Sequence, residues 1–214
     1  MTLKLDYQKQ LDSILSTIKN KPTLLLHACC APCSSYVIEY LSSYFDITIY
    51  YYNPNIHPIE EYNRRLTELQ NFITKFPPAI KNNISLIIPP YDPEDYFIAT
   101  NARNEKFLQT EPERGERCRR CYLLRMKKAY EFALANSFNF FTTTLSISPY
   151  KDSKMINEIG FNLVQENNIS SSTLHYLPAD FKKRNGFLRS LQLSKEYGLY
   201  RQDYCGCIYS QQKR

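Results

Sequence analysis

All seven cysteines of this chain fall into three tight groups: Cys29, Cys30 and Cys33, then Cys118 and Cys121, then Cys205 and Cys207. Core cysteines behave as small hydrophobes and scatter with the apolar pattern. Thiols gathered at CC-x2-C, C-x2-C and C-x-C spacing instead demand a fold that carries distant segments to shared centres. Three readings compete: unrelated core thiols, a redox-active dithiol, and metal or iron–sulfur ligation. The opening residues Met-Thr-Leu-Lys-Leu-Asp show no apolar signal-peptide core, and no run approaches the roughly 18 apolar residues of a membrane span. A soluble, cytoplasmic protein is therefore expected. In that compartment disulfides are rare and grouped cysteines point to metal binding or catalysis.

Ligand arithmetic narrows the metal. A tetrahedral zinc takes four ligands, so seven thiols exceed one site. A cubane cluster takes four and leaves three for a mononuclear metal with an open position. Two structural zincs would need eight donors, with His27 or Asp203 completing the set. The count favours one cluster plus one mononuclear metal.

Glycine is informative by its absence. The chain has five glycines, and the first is Gly115. A Walker A loop or dinucleotide fingerprint needs glycines so that backbone can approach phosphate. Neither fits in the first half of the chain. Hydrophobic residues at 43% and charged residues at 22% describe an ordinary globular composition rather than a disordered one. The length suits a single domain over 1–214, with an N-terminal helix in 1–21 ahead of the main body at 22–209.

Leu11, Ile14, Leu15 and Ile18 fall on one face of that first helix, with Leu3 and Leu5 looser before them. Short apolar runs predict strands at 24–28, 47–52, 84–88, 138–145 and 173–177. Helical segments are expected at about 58–76, 93–107, 118–136, 151–167 and 186–197, with another starting at Pro32 and a loop over 109–116. Alternation of this kind predicts an α/β fold, a parallel sheet sandwiched by helices. Ligands of such sheets bind beyond the carboxyl ends of the strands. Cys29, Cys30 and Cys33 follow the first strand, Asn53 and Asn55 the second, Ser146 and Ser148 the fourth, and Asp180 the fifth. The other two cysteine pairs must fold over that edge.

The formal net charge is +6. Arg114, Arg117, Arg119, Arg120, Arg125, Lys127 and Lys128 form one basic stretch. Lys182, Lys183, Arg184, Arg189, Lys195 and Arg201 form another. Both abut cysteine groups, which points to a polyanionic substrate. Tyr50, Tyr51, Tyr52, Tyr62 and Tyr204 are candidate base-stacking surfaces. His27 and His175 read as satisfied structural histidines, and His57 as a residue near a helix cap.

These residues resemble a known family. The segments LLLHACCAPCSS (24–35), YNPNI (52–56), RCRRCY (117–122), TTTLSISPYK (142–151), LPADFKK (177–183) and YGLYRQDYCGC (197–207) are similar to those of the metal-dependent epoxyqueuosine reductases, QueH, distinct from the cobalamin-dependent enzyme of the same reaction. The likeness runs over about 22–209 and takes in every cysteine group in order. It implies a sheet similar to the adenine-nucleotide hydrolase-like, HUP or PP-loop-related fold, with cysteines where those enzymes keep their glycine-rich loop. It implies an oxidoreductase of queuosine biosynthesis, which removes the epoxide oxygen from epoxyqueuosine at the tRNA wobble position. The partners would be tRNA and an electron donor that the sequence does not name. The implied cofactors are a 4Fe–4S cluster and a second mononuclear metal, iron or zinc; spacing and adjacency assign the first to Cys30, Cys118, Cys121 and Cys205 and the second to Cys29, Cys33 and Cys207, with exchange within the Cys29–Cys30 or Cys205–Cys207 pair left open. Some relatives carry Asp at the position of Cys33, which marks it as a ligand of the second metal. Asp180, Asp203 and Tyr204 are the candidate acids for the leaving oxygen. Two rivals share parts of this pattern. An ATP-dependent PP-loop enzyme shares the sheet and basic surface but wants early glycines. A zinc-stabilised RNA-binding module wants repeated finger-type pairs.

Overall fold

A computed structural model describes residues 6–166 and 173–211. Leu3, Leu5 and Asn167 of the expected helices lie outside the described residues. Five parallel strands form one sheet: β1 (Thr23–His27), β2 (Asp46–Tyr50), β3 (Ser85–Ile87), β4 (Phe140–Thr143) and β5 (His175–Tyr176), in the order β3-β2-β1-β4-β5. The α/β architecture expected from the sequence is thus present, and it is consistent with a HUP-type sheet.

Side chains alternate across the strands, as the pleat requires. Leu24, Leu26, Ile47, Ile49 and Tyr51 enter one core, with α1 (Tyr7–Thr17), α2 (Ala31–Leu41), α3 (Ile59–Ile73), α4 (Pro77–Lys81) and α9 (Gly186–Glu196). Leu25, Tyr50, Tyr52 and Phe141 enter the other, with α7 (Glu116–Ala135) and α8 (Ser153–Glu166). Leu24, Leu25 and Leu26 are wholly buried, which is why β1 reads as an unbroken apolar run. Burial of each contributes about 2 kcal/mol.

Among the differences from the sequence expectation, the short helices Pro77–Lys81 and Ile208–Gln211 are additions, and two further elements change form. The stretch 93–107 breaks into α5 (Pro93–Thr100) and α6 (Lys106–Thr110), because Asn101 takes a left-handed conformation, φ 54°. Asparagine tolerates that region better than most side chains. The expected fourth strand gives way at Thr143 to a 3-10 turn, Thr144–Ile147, where the Thr143 hydroxyl accepts the Leu145 N–H at 3.2 Å.

The order places a topological switch between β1 and β4, since the chain leaves β1 toward β2 and β3 and returns on its other side. Crevices at such switches are where open α/β sheets bind ligands.

Candidate metal centre

β1 ends at His27 and delivers Cys29 and Cys30 to the switch point. Cys30 is extended and caps α2, its sulfur accepting the Cys33 N–H at 3.3 Å in the role usually taken by Ser or Asp. That turn carries Cys33 back over the strand end. The three sulfurs lie within 4.8 Å of one another, close enough to share a metal ion. Gln202 reaches in and donates its amide N–H to the Cys30 sulfur at 3.0 Å.

The three thiols do not ionise alike. Hydrogen bonds from Cys30 and Cys33 hold Cys29 well below the usual thiol range, with Arg125 and Lys151 adding to the effect against burial. Burial, then the bond to Cys29, pushes Cys30 up to about 12. Bonds to Cys29 and Cys30, with burial, push Cys33 well above the usual range. One proton leaves easily, and a bound cation is what would release the others.

His27 is structural, as expected. Its Nδ1 meets the Thr143 hydroxyl at 2.8 Å and its Nε2 the Tyr52 carbonyl at 3.1 Å. A carbonyl only accepts, so Nε2 carries the proton. Burial lowers its pKa to about 3.

The other four thiols converge from two segments. Cys118 and Cys121 occupy the first turns of α7, while Cys205 and Cys207 flank Gly206 just before α10 (Ile208–Gln211). The second segment is pinned from within. Buried Arg65 of α3 donates to the carbonyls of Tyr204 and Cys205, at 3.2 Å each, and pairs with Glu61 at 2.6 Å. Gly206 has φ 103°, and a Cβ there would stand 2.8 Å from Ile56 Cγ1, so both conformation and space require glycine. The buried Tyr96 hydroxyl meets the Cys207 sulfur at 2.8 Å.

Cys118, Cys121, Cys205 and Cys207 line one small cavity together with Arg117, Arg125, Lys151 and Glu113. Arg125 is buried, donates to Asn53 Oδ1 at 2.6 Å, and leaves its Nε–H without a partner. Burial opposes the charge of Arg125, and the sulfurs of Cys121 and Cys29 outweigh it. Lys151 shows the same balance with Cys205 and Cys29.

A second, open cavity is lined by Cys29, Cys33, Cys205, Lys151, Gln202 and Tyr204 among others, so Cys205 and Lys151 belong to both walls. Of the candidate acids, only Tyr204 lines it, and its hydroxyl donates to the His57 carbonyl at 2.6 Å. Asp180 pairs with Lys182 at 2.6 Å away from this lining, and Asp203 is exposed outside it. Cys30 sits with Cys29 and Cys33, while Cys207 sits with Cys118, Cys121 and Cys205.

A family model for epoxyqueuosine reductase QueH matches residues 24–213. The Streptococcus pyogenes epoxyqueuosine reductase QueH is 42% identical over 190 residues, 89% of this chain and 71% of the relative. The Staphylococcus epidermidis protein of that name is 36% identical over 214 residues, 99% of this chain and 87% of the relative. The one from Haemophilus influenzae is 40% identical over 188 residues, 87% of this chain and 71% of the relative. The chain belongs to the epoxyqueuosine reductase QueH family. QueH proteins carry the name of an oxidoreductase, and the family match spans all seven thiols described above. Among the described residues, no helix is long and apolar enough to cross a membrane.

For a QueH chain, the residues the sequence left unread are the ones that work at long range. Tyr96 and Arg65 touch a thiol or its backbone, yet each stands in an unremarkable local pattern, whereas Gln202, which reaches the Cys30 sulfur, lies within the YGLYRQDYCGC segment. Lys151 did carry a signal, since it closes the TTTLSISPYK segment after β4.

Proposed function

We propose that this chain removes the epoxide oxygen of epoxyqueuosine in tRNA to give queuosine, with a 4Fe–4S cluster and a second metal, iron or zinc, held by its seven thiols. The observation that carries this reading is the meeting of Cys29, Cys33 and Cys205 in the wall of one open cavity, with Cys205 also lining the cavity of Cys118, Cys121 and Cys207.

The donors suit such a group. Soft thiolates select iron–sulfur clusters and zinc. Three cations, Arg117, Arg125 and Lys151, face four sulfurs and one carboxylate, Glu113, and Arg125 Nε–H has no acceptor. A buried charge of this kind needs a counter-charge. An anionic cluster held by these thiolates would supply it.

Conversion of an epoxide to an alkene takes two electrons and two protons and releases water; a bound cluster would supply electrons singly, and a second metal Lewis acidity. The electrons come from a donor outside this chain. The protein's part is to hold charge and protons where oxygen departs. Lys151 puts a cation in the cavity wall. Tyr204 supplies a hydroxyl there, available once it leaves the His57 carbonyl, and burial pushes its pKa up to about 12. Asp180 and Asp203 remain proposed acids only if the bound substrate draws their loops inward.

Cys118, Cys121 and Cys205 are proposed cluster ligands, and Cys29 and Cys33 ligands of the second metal. Cys30 and Cys207 distinguish two partitions. The sequence-based one gives Cys30 to the cluster and Cys207 to the second metal. Proximity favours the exchange. Cys30→Ala decides: loss of labile sulfide supports the first, and retention supports the second.

The test begins with anaerobic purification and analysis of iron, zinc and labile sulfide. About four sulfides and four to five irons per chain are expected. Incubation with tRNA bearing epoxyqueuosine and a low-potential reductant should then yield queuosine by nucleoside mass spectrometry. Zinc alone, without sulfide after reconstitution, would sink the reductive mechanism and favour a zinc-stabilised RNA-binding protein.

A further inference from the structure

The basic stretches that suggested a polyanionic substrate are largely engaged within the protein. Lys182 pairs with Asp180 at 2.6 Å, Lys183 with Asp6 at 3.0 Å, Arg189 with Glu39 at 2.6 Å, and Arg184 with Asp12. In the other stretch, Arg119 and Arg120 pair with Glu116 at 2.6 and 2.9 Å, and buried Arg117 donates to the Leu108 carbonyl. The tyrosines that looked like stacking surfaces are buried too: Tyr50, Tyr51, Tyr52, Tyr62 and Tyr204 are each at most 8% exposed.

The rim of the open cavity is different. Arg114 is exposed and donates to the carbonyls of Pro149 and Tyr150, neutral acceptors that leave its charge intact. It does so from φ 75°, a strained position for a side-chain-bearing residue. Arg201, also exposed, donates to the Ser194 hydroxyl at 3.3 Å and lies 5.7 Å from the Phe187 ring. Tyr150 is 58% exposed in the same wall, next to Lys151. Glu113 is the acidic residue of that lining, against Lys151 and Arg201. Guanidiniums beside an exposed ring, around a cavity lined by Cys29, Cys33 and Cys205, make a grip for single-stranded RNA.

We propose that Arg114 and Arg201 each hold a backbone phosphate of the anticodon loop, and that the Tyr150 ring stacks on a base next to the one that enters the cavity. The cations of 182–189 serve the fold. This inference rests on the reading that tRNA is the substrate.

The experiment is binding of an unmodified transcript of a tRNA that carries queuosine in the cell, to anaerobically purified holoenzyme, across a salt series. Arg114→Ala and Arg201→Ala should each weaken binding about tenfold at low salt and flatten the log–log salt dependence by about 0.7–0.9 per phosphate lost. Arg114→Lys keeps the charge and should keep the slope, which a merely structural tether would not explain. Tyr150→Leu should weaken binding about tenfold at unchanged slope, and Tyr150→Phe should bind as wild type. Lys183→Ala with Arg184→Ala should leave the slope alone. If the wild type binds and the 183/184 variant flattens the slope while the rim variants do not, the rim assignment is wrong and the tRNA reading stands. If the wild type turns over no epoxyqueuosine tRNA and binds no transcript, both fall together.

Discussion

The two thiol groups reach their cavities by opposite routes. Cys29, Cys30 and Cys33 are set by one strand end and one helical turn, and Cys30 itself caps the helix that positions Cys33. Cys118, Cys121, Cys205 and Cys207 meet only because buried residues from other elements hold the second pair in place: Arg65 on its carbonyls, Tyr96 on its sulfur. The first group is a property of local sequence, the second of the finished fold. The first should therefore resist distant mutations that dismantle the second.

The largest expected effect comes from Arg65. Arg65→Ala takes the guanidinium from Glu61, which keeps the Tyr200 hydroxyl at 3.3 Å, and frees the Tyr204 and Cys205 carbonyls, so it should cost about 3 kcal/mol, the low end for breaking a buried pair. Urea unfolding with parallel metal analysis would measure it. Metal held by Cys29 and Cys33 should outlast metal held by Cys118 and Cys121; simultaneous loss would break the comparison.

Acid should strike the local group instead. Unfolded His27 takes a proton below about 6.5, whereas the folded residue does so only below about 3. Between those values the unfolded chain binds more protons, so stability falls as pH drops through the window, by up to about 1.4 kcal/mol per pH unit. Wild type compared with His27→Gln at pH 7 and 5 should show a steeper loss in the wild type by about 2 kcal/mol over that interval; parallel curves would remove His27 from the account.

Gly206→Ala tests the second group at its turn. The positive φ and the contact with Ile56 predict a cost of about 1–3 kcal/mol, with weakened metal retention after mild chelation. The smallest effect belongs to Gln202→Leu. It removes one N–H to the Cys30 sulfur, worth about 1 kcal/mol. The loaded centre should become harder to reduce, seen as a lower midpoint potential in a redox titration, because hydrogen bonds to cluster sulfurs favour the more negative state. An unchanged potential would place Cys30 outside the redox-active centre.

The same division governs what the sequence disclosed. The five strands were legible because each is an apolar run bounded by breakers, and the Cys29–Cys33 turn was legible because strand, Pro32 and cysteine spacing lie side by side. The break at Asn101 was not, since a left-handed asparagine leaves no mark in the apolar pattern. Nor was the fate of the basic residues. Lys183 and Arg184 meet Asp6 and Asp12 from the far end of the chain, and such pairings depend on the fold rather than on neighbours. Tyr96, and the reach of Gln202 to Cys30, escaped for the same reason.

The grip of Arg65 on Cys205 spans 140 positions of chain. At about 5–20 residues per second, roughly 7–30 seconds of synthesis separate the two. During that interval the Cys29–Cys33 segment has been made, but the segment that brings Gln202 and Cys205 over it has not. Without that segment the three thiols would lack the Gln202 amide and the Cys205 wall that stand over them in the finished fold. The wall that Gln202 and Cys205 add to the Cys29 and Cys33 cavity is thus among the last parts of the fold to be made, and the cavity is complete only once the chain has been synthesised through those residues.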